Sequence, residues 1–237
     1  MLIPVPVSRW RPRNAWLCAI GLLLLHFVVI GLVWLIWIPY PRIGVLVHMP
    51  LGVCILGVIW HALGFLLVLM ISGTWSLSRF VRDFQLHKPS FRGALTYGFI
   101  GAGIALSWVI VADQYFGQPP PIQTSFPVMH GGTGVELGWI ILLVLYAAFI
   151  EEVLFRGYMY RAFRIGWGIF TSTVCVMLIT LLFHWNVVTR SNASLVLHSM
   201  LAVFLCVVRE KSDGLWNCII CHCSYNLALC AYGGWNR

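Results

Sequence analysis

The sequence predicts an all-α protein, a polytopic bundle of transmembrane helices. Of its 237 residues, 60% are hydrophobic and 9% are charged, which leaves too little polar surface to cover a soluble globule. Seven apolar stretches are long enough, or nearly so, to cross the hydrocarbon core as helices. Lysine and arginine alternate between rich and poor connections, as they do in multi-spanning proteins.

The seven predicted spans fill most of the chain, so residues 1–237 are treated as a single membrane domain. The spans cover residues 15–39, 44–72, 94–114, 136–158, 166–189, 193–209 and 213–233. The first is too long for a cleaved signal sequence and is expected to be retained. The connection at 116–134 is rich in proline and glycine and is predicted to be an extracytoplasmic loop.

The basic residues predict a cytoplasmic N-terminus. In that orientation twelve of the 15 lysines and arginines fall in cytoplasmic connections. Because the charges are spread between apolar runs, the net charge of +8 indicates topology and predicts no nucleic-acid partner. We expect an integral, multi-pass protein surrounded by membrane lipid, in the cell membrane if the source is bacterial.

Two adjacent carboxylates, Glu151 and Glu152, lie inside the fourth predicted span. The other five acidic residues lie in connections or at helix ends. A carboxylate at mid-bilayer costs about 2.5 to 3.5 kcal/mol, so the pair should face a polar cavity, be partly protonated or have a cationic partner.

A cationic partner is present, because Arg156 follows Glu152 by four residues and shares its helix face. We therefore expect Arg156 to hold Glu152 ionised. Glu151, about 100° around the helix, is then left as a general base. The alternative is a structural ion pair at the membrane edge, with Glu151 as a passenger.

Among the eight histidines, His222 has polar company at helical spacing, in Asn226. An imidazole and a carboxamide on one face can hold a water, a metal or a developing oxyanion. His184, near the outer half of span five, is a second candidate. Four others have no polar partner at helical spacing and are interpreted as structural: His26, His48, His61 and His198.

The run from Glu151 to Gly157, followed by His184 and by His222-xxx-Asn226, resembles the CAAX-protease and bacteriocin-processing (CPBP) family of intramembrane proteases. This family includes Rce-type enzymes that trim prenylated proteins, and its motifs are EExxxR, FxxxH and HxxxN/D in that order. The first and last motifs match fully, whereas Thr180 stands where the middle motif has phenylalanine. The resemblance covers about residues 136–233, the expected catalytic core.

The resemblance implies an intramembrane endopeptidase acting on a membrane-associated, prenylated (CAAX-type) protein or peptide. Glu151 would be the catalytic base, supported by Glu152 and Arg156, and His184 would help to bind and activate the water.

The same resemblance implies that His222 and Asn226 stabilise the tetrahedral oxyanion, facing Glu151 across a polar cavity. No cofactor is favoured. The alternative is zinc held by Glu151, His184 and His222, a set that would leave one coordination position open.

Two other functions remain open at this point: a non-catalytic relative that serves as a membrane scaffold or bacteriocin-immunity protein, and a proton-coupled transporter that uses Glu151 and Glu152 as a relay. The joint presence of the histidines and the asparagine favours the peptidase.

The predicted spans contain one conflict. They separate Glu151 from His184 by about 15 Å in depth, at 1.5 Å per residue. Either span five starts late, which Gly166 and Gly168 permit, or the helices tilt strongly.

Overall fold

The computed structural model describes residues 10–37, 50–116, 141–189, 191–212 and 214–235, and these residues form helices joined by turns, with no strand among them. The α-helices are Pro12–Trp37 (α1), Pro50–Ser72 (α2), Leu77–Asp83 (α3), Phe91–Phe116 (α4), Ala148–Glu152 (α5), Tyr160–Phe183 (α6), Trp185–Val188 (α7), Asn192–Lys211 (α8) and Leu215–Trp235 (α9). Two π-helical segments, Ile141–Ala147 (π1) and Val153–Met159 (π2), flank α5.

The all-α membrane bundle is confirmed. Within the described ranges, four helical segments are long and apolar enough to cross a membrane, or five if Leu56–Ser72 and α3, bent by 85°, form one broken span. Many large apolar side chains, such as Phe99 and Phe170, are exposed on the outside of the bundle, where lipid would cover them. The count of seven spans and the cytoplasmic N-terminus stay predictions.

The helix ends lie close to the predicted boundaries for spans one, three, six and seven. The first part of span two, the start of span four and most of the 116–134 loop fall outside the described residues. Ser191 fixes the start of α8, because its hydroxyl accepts a hydrogen bond from the Ser194 N–H at 3.0 Å. Arg209 and Lys211 occupy the last turn of the same helix, where a positive charge is favourable.

Predicted spans four and five form one helical run in which the chain reverses at Gly168. The run covers 40 residues, Val144–Phe183, about twice what one crossing requires. Gly168 has φ 79° and ψ 178°, a conformation that glycine adopts without the steric cost of a side chain. The Phe155 and Phe183 rings meet across the reversal, with centroids 5.8 Å apart.

The helix that contains predicted span four therefore continues past residue 158, as far as Gly168. Of the two explanations for the apparent difference in depth between Glu151 and His184, the structure supports the late start of span five. Glu151 precedes Gly168 by almost as many residues as His184 follows it, so the two arms bring both side chains to one depth. The short connection expected between the spans is helical instead, because no residue before Gly168 in this stretch breaks the helix.

A glycine sets the closest approach between α4 and α9. A Cβ placed on Gly101 would collide with the backbone carbonyl of Cys221, whereas a Cβ on Gly103 would have nothing within 4 Å. Cys221 precedes His222, so this contact also fixes the height of a candidate site residue.

Gly101→Ala should lower the free energy of unfolding by about 1 to 3 kcal/mol, because two backbones must separate to admit the methyl group. Gly103→Ala, one half-turn away, should be neutral or stabilising, since alanine is the better helix former by about 1 kcal/mol. Equilibrium unfolding of both variants in detergent checks this. Equal midpoints for the two variants would contradict the packing described.

Candidate active site

Glu151 and Glu152 occupy the last two positions of α5, a five-residue helix between two π-helical segments. A π-turn is wider than an α-turn and changes the direction in which side chains point, and such turns are frequent at functional sites. The two adjacent carboxylates consequently have separate partners on different helices.

Glu152 is fully buried and held from two sides. Arg156 Nη1 donates to Glu152 Oε1 at 3.0 Å, and His222 Nδ1 lies 2.8 Å from the same oxygen. Arg156 also donates from Nη2 to the Ala202 carbonyl at 3.1 Å, so the guanidinium joins π2 to α8. Charge-assisted bonds of this kind are the strong ones in a dry interior. Glu152 is thereby fixed between three helices.

Glu151 has a looser environment between two imidazoles. Its Oε1 lies 3.6 Å from His61 Nε2 on α2, and its Oε2 lies 3.9 Å from His184 Nε2 at the end of α6. Both distances exceed a direct hydrogen bond, so the Glu151 carboxylate is not bonded directly to either imidazole in this arrangement. The side chain is 15% exposed, in contrast to the fully enclosed Glu152.

Both imidazoles are anchored through Nδ1 to a carbonyl one turn earlier on their own helix. His61 Nδ1 lies 2.7 Å from the Gly57 oxygen, and His184 Nδ1 lies 2.9 Å from the Thr180 oxygen. A carbonyl oxygen can only accept, so each Nδ1 carries the proton and each Nε2 faces Glu151. In the neutral form both rings therefore offer Glu151 a lone pair.

His198 extends this cluster behind His184. The two rings are 5.2 Å apart between centroids, and His198 Nδ1 lies 2.7 Å from the Ser194 oxygen, again one turn earlier. The sequence predicts structural roles for His61 and His198, because neither has a polar partner at helical spacing. Nothing in their spacing reveals their neighbours, because those neighbours lie on other helices. The one available signal was a histidine inside an otherwise apolar span.

His222 and Asn226 lie one turn apart on α9, as predicted, but His222 directs Nδ1 at Glu152 and not at Glu151. His61 and His184 are the imidazoles that lie beside Glu151, while His222 contacts Glu152; that His222 and Asn226 face Glu151 across a shared cavity stays a prediction. Because Nδ1 is engaged, Nε2 is the nitrogen of His222 left for a substrate.

The described geometry gives no support to the zinc alternative. His222 directs Nδ1 at Glu152, and across the described ranges no three His, Cys, Asp or Glu side chains are arranged to hold a metal ion. Whether the site is metal-free or holds zinc stays a prediction.

An apolar cleft opens between π1, α5 and α9, on the helical run that carries the glutamates. Its volume is about 550 Å³. It is lined by Ile141, Leu145, Tyr146, Phe149, Trp216, Ile219, Ile220, Cys223 and Ser224.

The apolar cleft shares wall residues with the surroundings of the site and with a polar pocket. Tyr146, in its wall, contacts His61 with ring centroids 5.7 Å apart. Trp216 lines both the cleft and a polar pocket of about 350 Å³ whose lining includes Lys88 and Lys211. The indole is fixed by a hydrogen bond to the Leu86 carbonyl at 3.2 Å.

The apolar helices indicate an integral membrane protein, and two neighbouring glutamates with histidines beside them lie within its bundle. Residues 133–228 match the Rce1-like family, the type II CAAX prenyl endopeptidases. The resemblance found in the sequence is confirmed by this match. The match covers less than half of the chain; it includes all six predicted site residues and excludes His61. Neither the curated proteins nor the solved structures gave a match.

Proposed function

We propose that the protein is a multi-pass intramembrane endopeptidase that hydrolyses a peptide bond of a membrane-associated, prenylated substrate with a glutamate-activated water. One observation carries the proposal: two neighbouring carboxylates have opposite environments. Glu152 is bonded to Arg156 and His222, while Glu151 has no direct hydrogen bond to the two imidazoles beside it. A general base needs an accessible lone pair, and Glu151 has one.

The proposed reaction starts with a water between Glu151 and His184. Glu151 Oε2 takes one proton as the water oxygen attacks the peptide carbonyl carbon, and the lone pair of His184 Nε2 accepts a hydrogen bond from the second O–H. The carbonyl oxygen becomes an oxyanion, stabilised by His222 and Asn226. The proton on Glu151 then passes to the leaving nitrogen as the C–N bond breaks, which leaves a carboxyl product and an amine.

Glu152 has an electrostatic role in this proposal. Its contact with His222 Nδ1 stabilises positive charge on that imidazole, and its complete burial keeps Glu152 from reaching the water. His222 can then present an N–H from Nε2 to the oxyanion.

The apolar cleft supports a lipidated substrate. Its volume of about 550 Å³ lies within the usual range of ligand pockets, and its wall is almost entirely hydrocarbon and aromatic. An isoprenoid chain inserted between π1 and α9 would leave the attached peptide near Trp216 and the polar pocket. The site is thus suited to a substrate with an apolar tail and a polar peptide.

The test is a cleavage assay with purified protein in liposomes, using a farnesylated CAAX peptide and the same peptide without the lipid. We expect cleavage of the farnesylated peptide and a KM at least tenfold higher without the lipid. Activity should persist in a preparation shown by elemental analysis to be free of zinc. Absence of cleavage of both peptides would overturn the proposal, and proton flux across the same liposomes would support the transporter alternative.

A further inference from the structure

A histidine outside the matched family region lies against the proposed base. His61 is on α2, whereas the family match begins at residue 133. Its Nε2 is buried, has no hydrogen-bond partner among the described residues and lies 3.6 Å from Glu151 Oε1. A buried nitrogen without a partner is costly, so its position beside a carboxylate requires an explanation.

The imidazole of His61 is fixed on every side. Nδ1 is bonded to the Gly57 carbonyl at 2.7 Å, and the ring lies edge-on to Trp60 at 4.9 Å and to Tyr146 at 5.7 Å between centroids. The Tyr146 hydroxyl donates to the Val58 carbonyl at 3.1 Å, which ties π1 to the same turn of α2. The ring therefore cannot rotate away from Glu151 without breaking a contact.

The contacts of His61 restrict the protonation state of the His61–Glu151 pair. Since Nδ1 must donate to Gly57, a neutral His61 would point its Nε2 lone pair at a carboxylate, and two acceptors would face each other in a buried site. One additional proton removes the conflict, because it allows the two atoms to close the 3.6 Å gap and form a charge-assisted hydrogen bond. The ionisable groups that face His61 in the described structure are Glu151 and Tyr146, and Tyr146 already uses its proton on Val58.

We propose that His61 is a positioning residue of this site: its Nε2 and Glu151 Oε1 share one proton, which holds the carboxylate so that Oε2 faces the water beside His184. This inference rests on the proposed function only in assigning the reaction to Glu151. The shared proton stays between His61 and Oε1 throughout, while the proton taken from water travels by Oε2 to the leaving amine. The N-terminal part of the chain thereby supplies a residue to the site.

Two amide substitutions separate this role from simple packing. The His61→Gln amide nitrogen reaches the place of Nε2 and can donate to Glu151, whereas that of His61→Asn reaches only the place of Nδ1 and can keep the Gly57 contact. We expect His61→Gln to stay within about fivefold of wild-type kcat and His61→Asn to lose at least about tenfold, with KM within twofold for both. A structural role would favour asparagine instead.

The matched control is His26→Gln. His26 is a half-buried histidine on α1 that contacts Trp60 from another direction, with ring centroids 6.2 Å apart. It should leave kcat within twofold. Equal kcat values for His61→Gln and His61→Asn, or wild-type kcat in His61→Asn, would overturn the inference.

A second measurement needs no activity. In full-length protein labelled with ¹⁵N-histidine, the signals of His61 are identified by their loss in His61→Gln. Glu151→Gln should move the Nε2 signal of His61, while Glu152→Gln should leave it in place, because Glu152 contacts His222. An unmoved signal in Glu151→Gln would overturn the shared proton. If His61 responds to Glu151 and no peptide is cleaved, the proposed function fails and the inference about the pair stands.

Discussion

Glu151→Gln should abolish peptide cleavage while leaving the fold intact. The amide has the shape of the carboxylate but cannot take a proton from water, and loss of a general base lowers kcat by about 10²- to 10⁴-fold. Glu151 makes no contact shorter than 3.6 Å to the two histidines that flank it, and the glutamine amide can still donate to His61 Nε2, so the fold should be retained. The assay is kcat on the farnesylated peptide, together with thermal unfolding in detergent.

The adjacent residue provides the matched comparison for that experiment. Glu152→Gln removes a buried charge between Arg156 and His222, so both the unfolding temperature and kcat should fall. Glu151→Gln and Glu152→Gln make the same change at neighbouring positions, one at a partly exposed carboxylate and the other at a fully buried, paired one. Loss of activity without loss of stability in Glu152→Gln, with an active Glu151→Gln, would reverse the proposed roles.

Arg156→Ala should be the most destabilising of the substitutions considered. It leaves Glu152 buried without its guanidinium partner and removes the bond to the Ala202 carbonyl. Breaking a buried pair by removing one partner costs about 3 to 5 kcal/mol. Equilibrium unfolding in mixed detergent micelles measures the difference.

Arg164→Ala is the control, because Arg164 pairs with Glu210 at the same N···O distance, 3.0 Å, but with a side chain that is 34% exposed. Solvent-accessible pairs contribute below about 1 kcal/mol. If the two arginine variants unfold alike, burial of the Arg156 pair contributes nothing to stability.

The fold class could be predicted because lipid imposes a simple rule on composition. Runs of about 20 apolar residues must be helical, and the ends of the spans at 94–114 and 193–209 follow from where polar residues begin. The reversal between spans four and five lies later than predicted for a physical reason. Arg161 and Arg164 lie between the two predicted spans but are compatible with a helix, because arginine is a good helix former, and the chain turns only where Gly168 permits a positive φ.

The candidate site was predictable only within single helices. The Glu152–Arg156 pair follows from a spacing of four residues, and the structure brings these two side chains together. Which of two neighbouring glutamates His222 approaches depends on how α9 is rotated against α5, and no spacing along one helix determines that rotation. The same limit applies to His61, whose partner lies far away in the sequence. The π-helical segments around α5 have no reliable sequence signal.

The reversal at Gly168 also restricts which changes in chain length the protein can tolerate. Glu151 and His184 stand on opposite arms of one hairpin, at nearly equal distances from its tip. One inserted residue on either arm would shift one side chain by about 1.5 Å and turn it by about 100° relative to the other. Both arms must therefore keep a fixed number of residues, so insertions and deletions between the two motifs are tolerable only in compensating pairs.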